Sequence, residues 1–254
     1  MTKVPIFAII TDFGFDFSVA SMKALILCHH PDAKIIDIEH SIERFSILSA
    51  AFVIQKVYKY FPEDTIFICI VDPGVGSNRE LICIDTELYK FVGPNNGIFH
   101  YISKNLKVEG QVYKIRDNFV TSHSNTFHGR DILTPAAIEL AKGNRSFLDL
   151  SNKENIVHIS LLENGVFVVL YIDGFGNIKT NISADTTNFC LLKIRIRGNS
   201  NAIRFVKTFS EVNERELLCY KGSNNALEIA VNLGSAKNVL NLNVGDILEI
   251  ENNI

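Results

Sequence analysis

Hydrophobic and polar positions along the N-terminal part of the chain form two alternating kinds of segment. Continuous apolar runs, such as 4–10 and 65–71, are typical of strands that are buried on both faces of a sheet. Between them lie segments with apolar residues at helical spacing, of which 18–30 and 47–61 are each followed by a proline. This alternation predicts an α/β domain with a mostly parallel sheet and helices on both faces.

The pattern changes after about residue 155. Short strand-like runs there are separated by Gly, Asn, Asp and Ser, which is typical of a small antiparallel sheet or barrel. These runs are 166–172, 178–182, 191–196, 217–220, 227–231 and 247–250. We therefore expect an α/β domain over 1–150, a linker over 151–160, and a small all-β, barrel-like domain over 161–254.

Composition narrows the choice of partners. The 254 residues are 47% hydrophobic, which suffices for a sizeable core. The net charge is −3 and the basic residues are scattered, so we expect no nucleic-acid partner. No apolar run approaches the ~18 residues of a membrane span, and the N-terminus predicts a first strand rather than a signal peptide. Five widely spaced cysteines indicate buried, reduced thiols, so we expect a cytoplasmic protein without a membrane partner.

A carboxylate, a turn and an arginine follow the second apolar run. Asp72 comes directly after the strand, Pro73, Gly74 and Gly76 turn the chain, and Arg79 lies seven residues after the aspartate. Open α/β sheets bind ligands at the carboxyl ends of their strands, and glycines let backbone approach a ligand closely. A structural ion pair across a tight turn is the alternative. If Asp72 pairs with Arg79, it is a fixed acceptor and a poor base.

Two further polar positions fit the same edge of the sheet. Asp12 follows the first strand, where a carboxylate can accept hydrogen bonds from a ribose diol. It is alternatively a turn or capping residue for the helix that follows. His128 lies in the compact polar motif 126–131, although a lone histidine is more often structural. Together with Asp72 and Arg79, His128 makes a candidate catalytic set.

Other motifs carry weaker signals. The Gly174–Asn177 turn lacks the third glycine and the strand–turn–helix context of a dinucleotide fingerprint, but Asp173, Phe175 and Asn177 can serve an aromatic ring by stacking and amide hydrogen bonds. Spacings that bind zinc are missing among the histidines and the nearby acid, so we expect no metal. The residues considered for a metal are His29, His30, His123, His128 and Asp131.

Eight short motifs, taken in order, resemble the S-adenosyl-L-methionine (SAM) hydroxide adenosyltransferases, or SAM hydrolases, which are related to the SAM-dependent fluorinase and chlorinase. The resemblance extends from Thr11 nearly to the C-terminus. The motifs are Thr11–Gly14, Met22–Lys23, Asp37–His40, Val71–Gly76, Gly93–Gly97, Phe127–Asp131, Phe175–Asn177 and Leu227–Asn232.

The resemblance implies an α/β domain, a β-barrel, and a homotrimer with SAM sites at the subunit interfaces. It implies hydrolysis of SAM to adenosine and methionine, with SAM as substrate and no cofactor. It assigns water activation to Asp72, Arg79 and His128. The implied substrate-binding residues are Asp12, Phe45, Asn95, Asp173, Phe175, Asn177, Ser223 and Asn232.

Differences from the halogenases favour water over halide. The halogenases replace the first aspartate of the triad with tyrosine, lose the His–Gly pair and carry a long extra loop; here only residues 80–93 separate Arg79 from Pro94. Phe45 stands where halogenases have a tryptophan. Asn224 replaces an arginine of their methionine site, and alanines (Ala20, Ala24) flank the Met–Lys pair where relatives often have glycine.

The alternatives are a non-catalytic SAM sensor, a SAM-dependent halogenase and a metal hydrolase. In a hydrolase, methionine leaves as a neutral thioether, so that no general acid is needed and the weak nucleophile is the difficulty. Because imidazole titrates near neutral pH, we expect His128 to take the proton of the attacking water, unless Arg79 stabilises hydroxide directly.

Overall fold

The computed structural model describes residues 3–105, 110–116, 118–122, 124–186, 190–222 and 225–251. The chain divides into two compact units, 1–158 and 159–254, and this division falls inside the segment predicted as a linker. Each unit encloses a hydrophobic core of its own.

In unit 1 the described residues form a seven-stranded mixed sheet. Its order is β2-β1-β3-β5-β4-β6-β7. The pairs β2–β1, β1–β3 and β3–β5 are parallel, while β4, β6 and β7 are added antiparallel. The strands are β1 (Ile6–Thr11), β2 (Lys34–Glu39), β3 (Ile66–Ile70), β4 (Leu81–Asp85), β5 (Lys90–Pro94), β6 (Gln111–Ile115) and β7 (Leu148–Ser151).

Helices follow strands β1, β2, β5 and β6 along the chain. The α-helices of this unit are α1 (Phe17–His29), α2 (Ile47–Val57), α3 (His100–Asn105) and α4 (Thr134–Ala141), with 3₁₀ turns at Tyr58–Tyr60 and Lys153–Asn155. Asp16 caps α1 by accepting a hydrogen bond from the Ser18 backbone N–H at 2.8 Å. The cap is therefore Asp16 and not Asp12. A π-helical turn, Gly129–Leu133, precedes α4, and such turns are frequent at functional sites.

Unit 2 is a closed barrel of order β10-β11-β12-β13-β9-β8-β14 within the described residues. Its strands are β8 (Phe167–Ile172), β9 (Ile178–Ser183), β10 (Leu191–Ile196), β11 (Asn199–Phe205), β12 (Leu217–Lys221), β13 (Ala226–Val231) and β14 (Ile247–Ile250). Two short helices, α5 (Ser160–Glu163) and α6 (Ala236–Leu240), and 3₁₀ turns at Ala184–Thr186 and Phe209–Glu211 complete it. Alternating buried positions along β9 and β10 fill the barrel interior.

The predicted fold class, an α/β domain followed by a barrel-like all-β domain, is confirmed. Three strands were not predicted from the sequence: β6, β7 and β11. They are rich in polar residues, and β6 and β11 each begin with an exposed amide side chain.

Three of the five cysteines are buried as expected, whereas Cys28 and Cys190 are exposed. Burial raises the pKa of Cys219 to about 12 and raises the pKa values of Cys69 and Cys83 further, so these thiols are inert. Among the described residues, no helix combines the length and the apolar character needed to cross a bilayer.

Candidate active site

The candidate site of unit 1 lies at the carboxyl ends of the parallel strands. Strands β1 and β3 are paired in register, with Thr11 opposite Ile70. Asp12 directly follows β1, and Asp72 follows β3 by two residues. Parallel pairing therefore brings the two loops that carry these aspartates to the same edge, where α/β sheets bind their ligands.

Asp72, Arg79 and His128 form one hydrogen-bonded cluster. The Arg79 Nε lies 2.8 Å from both carboxylate oxygens of Asp72, and Arg79 Nη2 donates to Asp72 Oδ2. The same Nη2 lies 3.0 Å from Nδ1 of His128. The side chains of Arg79 and Asp72 are only 10% and 7% exposed. The structural ion pair considered as the alternative is therefore present, and His128 is hydrogen-bonded to its arginine.

Two glycines allow the loops to meet. Gly76 has a φ of +80°, and a Cβ there would lie 2.9 Å from the carbonyl oxygen of Asn125. Gly129 follows His128, and a Cβ on it would lie 2.9 Å from Cδ1 of Ile70. Its missing side chain lets the π-helical turn approach the end of β3 closely. The backbone beside His128 is thereby held against the strand that delivers Asp72.

The contact with Arg79 determines which tautomer a neutral His128 adopts. A guanidinium has only N–H donors, so the Nδ1 that faces it must be an acceptor. We therefore assign the ring proton of the neutral imidazole to Nε2. For Nδ1 to take a proton, the Arg79 hydrogen bond at 3.0 Å would have to break. This argues against the expectation that His128 is the proton acceptor and favours a role in which its Nε2–H donates.

Asp12 and Phe45 form a second pair at this edge. The Phe45 backbone N–H donates to Asp12 Oδ2 at 2.8 Å. Phe45 has a φ of +68°, which is strained for a bulky residue, and its ring is exposed. Backbone strain is found disproportionately at binding sites. The pair presents a half-buried carboxylate beside an exposed aromatic ring, as the resemblance expects of a ribose site.

The two asparagines of the Gly93–Gly97 turn bond to different backbone segments. Asn95 is 9% exposed; its Nδ2 donates to the Asn155 carbonyl at 2.9 Å and its Oδ1 accepts from the Val157 N–H at 2.8 Å. Its amide thus holds the segment after β7. Asn96 Nδ2 donates to the carbonyl of Val71 at 2.9 Å and so fastens the residue before Asp72. Asn96 was not among the predicted site residues, although its motif was.

In unit 2, Asp173, Phe175 and Asn177 share one loop between β8 and β9. Oδ1 of Asp173 accepts the backbone N–H groups of Phe175 and Asn177, both at 3.0 Å. Its Oδ2 accepts from Asn177 Nδ2 at 3.1 Å and pairs with Lys179 at 3.3 Å. The carboxylate therefore shapes the loop, and the ring of Phe175 is left 81% exposed at its tip.

The remaining predicted residues are Asn232 and Ser223. Asn232 lies just after β13, and its Nδ2 donates to the Val212 carbonyl at 3.0 Å. Ser223 and the neighbouring Asn224 lie outside the described residues. Of the histidines considered for a metal, His29 and His30 each have a ring nitrogen within hydrogen-bonding distance of a backbone carbonyl, that of Leu25 and that of Ile138 respectively. His123 also lies outside the described residues.

The chain is similar to one family along nearly its whole length. The model of the SAM hydroxide adenosyltransferase N-terminal domain matches residues 7–150, and that of the C-terminal domain matches residues 167–249. Of curated proteins, one from Methanocaldococcus jannaschii named (R)-S-adenosyl-L-methionine hydrolase is 35% identical, covering 96% of this chain and 95% of that protein. A protein of the same name from Thermus thermophilus is 30% identical, covering 93% and 95%.

More distant similarity reaches the halogenases. A fluorinase from an Actinoplanes species is 26% identical and covers 70% of this chain and 72% of its own length. A solved structure of an uncharacterised conserved protein from Thermotoga maritima is 32% identical, with a TM-score of 0.86, and covers 96% of this chain and 99% of that one. The hydrolase-named relatives thus match more of the chain, at higher identity, than the fluorinase does.

We predict that Asn95→Ala lowers stability more than substrate affinity. The change removes both hydrogen bonds of the Asn95 amide, each of which contributes roughly 0.5–1.5 kcal/mol to stability. Thermal unfolding with and without SAM measures it. An unchanged melting temperature together with a raised KM for SAM would instead favour direct substrate binding by Asn95.

Proposed function

Because this chain belongs to the SAM hydroxide adenosyltransferase family, we propose that it hydrolyses SAM to adenosine and L-methionine. Water or hydroxide attacks the ribose 5′-carbon, the bond from that carbon to sulfur breaks, and its electron pair leaves with methionine as a neutral thioether. Starting from the sulfonium and water, the products are adenosine, methionine and one proton. Both domain models and the hydrolase-named relatives support this reaction.

The observation that carries the proposal is the Asp72–Arg79–His128 cluster. Departure of a neutral thioether needs no acid, so the protein has to supply a nucleophile held behind the carbon–sulfur bond. Donors fixed in place before the reaction stabilise developing or bound negative charge without reorganisation. The guanidinium of Arg79, held by the Asp72 carboxylate, and the Nε2–H assigned to His128 are such donors for a hydroxide oxygen. Positioning of this kind can supply up to ~7–11 kcal/mol of a barrier in favourable intramolecular cases.

The substrate residues divide between the two units in this proposal. Asp12 accepts the ribose hydroxyls and Phe45 covers the sugar in unit 1, while Phe175 stacks on adenine in unit 2. Asn177, Asn232, Asp173 and Ser223 bind the adenine edge and the methionine groups. Asp173 accepts three hydrogen bonds within its own loop and pairs with Lys179 of β9, so it shapes the loop as much as it binds a ligand.

We propose further that the protein is a cytoplasmic homotrimer with a site at each subunit interface. Exposed aromatic side chains in each unit support an interface: Phe15, Phe17 and Phe45 in unit 1 and Phe175 in unit 2. Large aromatic residues are enriched where protein surfaces associate.

The direct test is product analysis in ¹⁸O-labelled water. We expect adenosine that carries ¹⁸O at the 5′ position, together with methionine, at a rate that chloride does not change. Because the relatives are named for the R configuration at sulfur, each sulfonium epimer is assayed separately and the R epimer should react faster. A 5′-chloro nucleoside would make the protein a halogenase, and bound but unreacted SAM would make it a sensor.

Arg79→Lys should lower kcat about 10²–10³-fold, as removal of one fixed anion-stabilising donor does in other enzymes. Lysine keeps the charge but cannot reach Asp72 and His128 together, because it lacks the planar fork. Arg116→Lys is the matched control, since Arg116 also pairs with an aspartate (Asp149, 2.8 Å) but is about half exposed. Equal rates for the two variants would remove Arg79 from the mechanism.

Subunit mixing tests the shared site. His128→Ala alters unit 1 only, and the double variant Phe175→Ala/Asn177→Ala alters unit 2 only, so each protein alone should be nearly inactive. In mixed trimers with sites between neighbouring chains, statistical assembly leaves about a quarter of the sites intact. Coexpressed variants should therefore recover about that share of activity. Coexpression of two unit 1 variants, His128→Ala and Arg79→Lys, is the control and should recover none.

A further inference from the structure

Two of the motifs that identify the family, Met22–Lys23 and Asp37–His40, have no place in the chemistry above. Both nevertheless lie beside the loop that carries Asp12. His40 Nε2 is 3.0 Å from Asp37 Oδ1, and Lys23 Nζ is 2.5 Å from the other oxygen of Asp37. On its other side, Nδ1 of His40 is 2.9 Å from the hydroxyl of Thr11.

The directions of these hydrogen bonds form one consistent chain. Burial disfavours the charged carboxylate, but hydrogen bonds from Lys23 and His40 hold the pKa of Asp37 below its ordinary value. Asp37 is therefore an acceptor, and Nε2 of His40 carries a proton. In the neutral ring Nδ1 accepts from the Thr11 hydroxyl. The oxygen of that hydroxyl in turn accepts the Phe13 backbone N–H at 3.2 Å.

A hydroxyl, an imidazole and a carboxylate in sequence are also the parts of a nucleophilic triad. Here a nucleophilic role is ruled out because a substrate cannot reach the Thr11 hydroxyl. Thr11 is fully buried, and its oxygen is already engaged by Phe13 as well as by His40. A nucleophile has to meet a substrate, so a buried and doubly bonded hydroxyl points to a positioning role.

The hydrogen bonds enclose Asp12 on both sides. Thr11 precedes Asp12 and Phe13 follows it, and both are joined to the His40 side chain through the Thr11 hydroxyl. The Gly14 N–H donates to the His40 carbonyl at 2.7 Å, which holds the far end of the loop. Within the described part of the chain, one carboxylate oxygen of Asp12 is engaged, by the Phe45 N–H.

We propose that His40, oriented by Asp37 and acting through the Thr11 hydroxyl, is a positioning residue that aims the Asp12 carboxylate at the ribose hydroxyls of the substrate. The inference rests on the proposed role of Asp12 in SAM hydrolysis. Lys23 and Asp37 are 32% and 44% exposed, so their ion pair contributes little by itself. The half-buried His40 and the buried Thr11 carry the effect.

Thr11 offers a matched pair of variants. Thr11→Val has the same shape without the hydroxyl, and Thr11→Ser keeps the hydroxyl. We expect Thr11→Val to raise KM for SAM about tenfold, the effect of one lost buried hydrogen bond, and Thr11→Ser to stay near the parent value. His40→Asn places an amide near Nδ1 and should stay closer to the parent value than His40→Ala, which loses every side-chain contact.

A double-mutant cycle with Asp12→Ala distinguishes positioning from general destabilisation. If His40 and Thr11 act through Asp12, Thr11→Val changes KM little once Asp12 is alanine, and it changes KM little for a SAM analogue without ribose 2′- and 3′-hydroxyls. Additive effects in the cycle, or equal effects on SAM and the analogue, would overturn the inference while hydrolysis stands. If the parent protein does not turn over SAM, the proposed function fails, and the same cycle measured by calorimetric SAM binding still tests the positioning role.

Discussion

The buried ion pair between Asp72 and Arg79 is the constraint on which the rest of the unit 1 site depends. Removing two charges from water costs several kcal/mol per ion, and only very good geometry offsets that cost. Here the Arg79 fork engages both Asp72 oxygens and still reaches His128. The loop between the two residues must therefore turn sharply, as Gly76 with its positive φ allows. Because a guanidinium remains charged throughout the pH range of folding, this arrangement also keeps the neighbouring Nδ1 of His128 an acceptor.

Each half of the proposed site is preformed by contacts within its own unit. In unit 1, Asn96 fixes the backbone before Asp72, and the segment after β2 holds Asp12 through Phe45. In unit 2, Asp173 shapes the loop that exposes Phe175 by accepting that loop's own N–H groups. Preformed groups lose less entropy on binding than mobile ones, so the binding free energy of the substrate is not reduced by the cost of ordering these loops.

Many of the strands and the candidate site residues could be predicted from the sequence, and the features that could not be predicted have physical causes. Apolar runs identified the central strands because strands buried on both faces need continuous hydrophobicity, as in β1 and β3. Strand β11 was missed because it is polar; a two-residue turn at Arg197 and Gly198, both with positive φ, pairs it with β10. Motif order indicated Asp72, Arg79 and His128, but no spacing rule states that Nδ1 of His128 faces a donor. Nor does the sequence reveal that the nitrogen and the oxygen of the Asn95 side-chain amide bond to the backbone of residues 155 and 157, since those contacts span about sixty positions.

The donor that faces Nδ1 bears on what kind of catalyst this cluster can be. A histidine that acts as general base needs a lone pair directed at the water, whereas the lone pair of Nδ1 is directed at Arg79. The cluster therefore presents N–H donors, as suits an anion already formed. Hydroxide and halide are both anions, so charge alone does not distinguish them. In the proposed reaction the distinction comes from hydrogen bonding: hydroxide would accept from Arg79 and His128 and could also donate, whereas the Asp72 carboxylate beside them disfavours an anion that cannot donate. Under that proposal, the aspartate that orients the arginine also favours water-derived nucleophiles over halide, which is a physical reason for the preference indicated by the sequence.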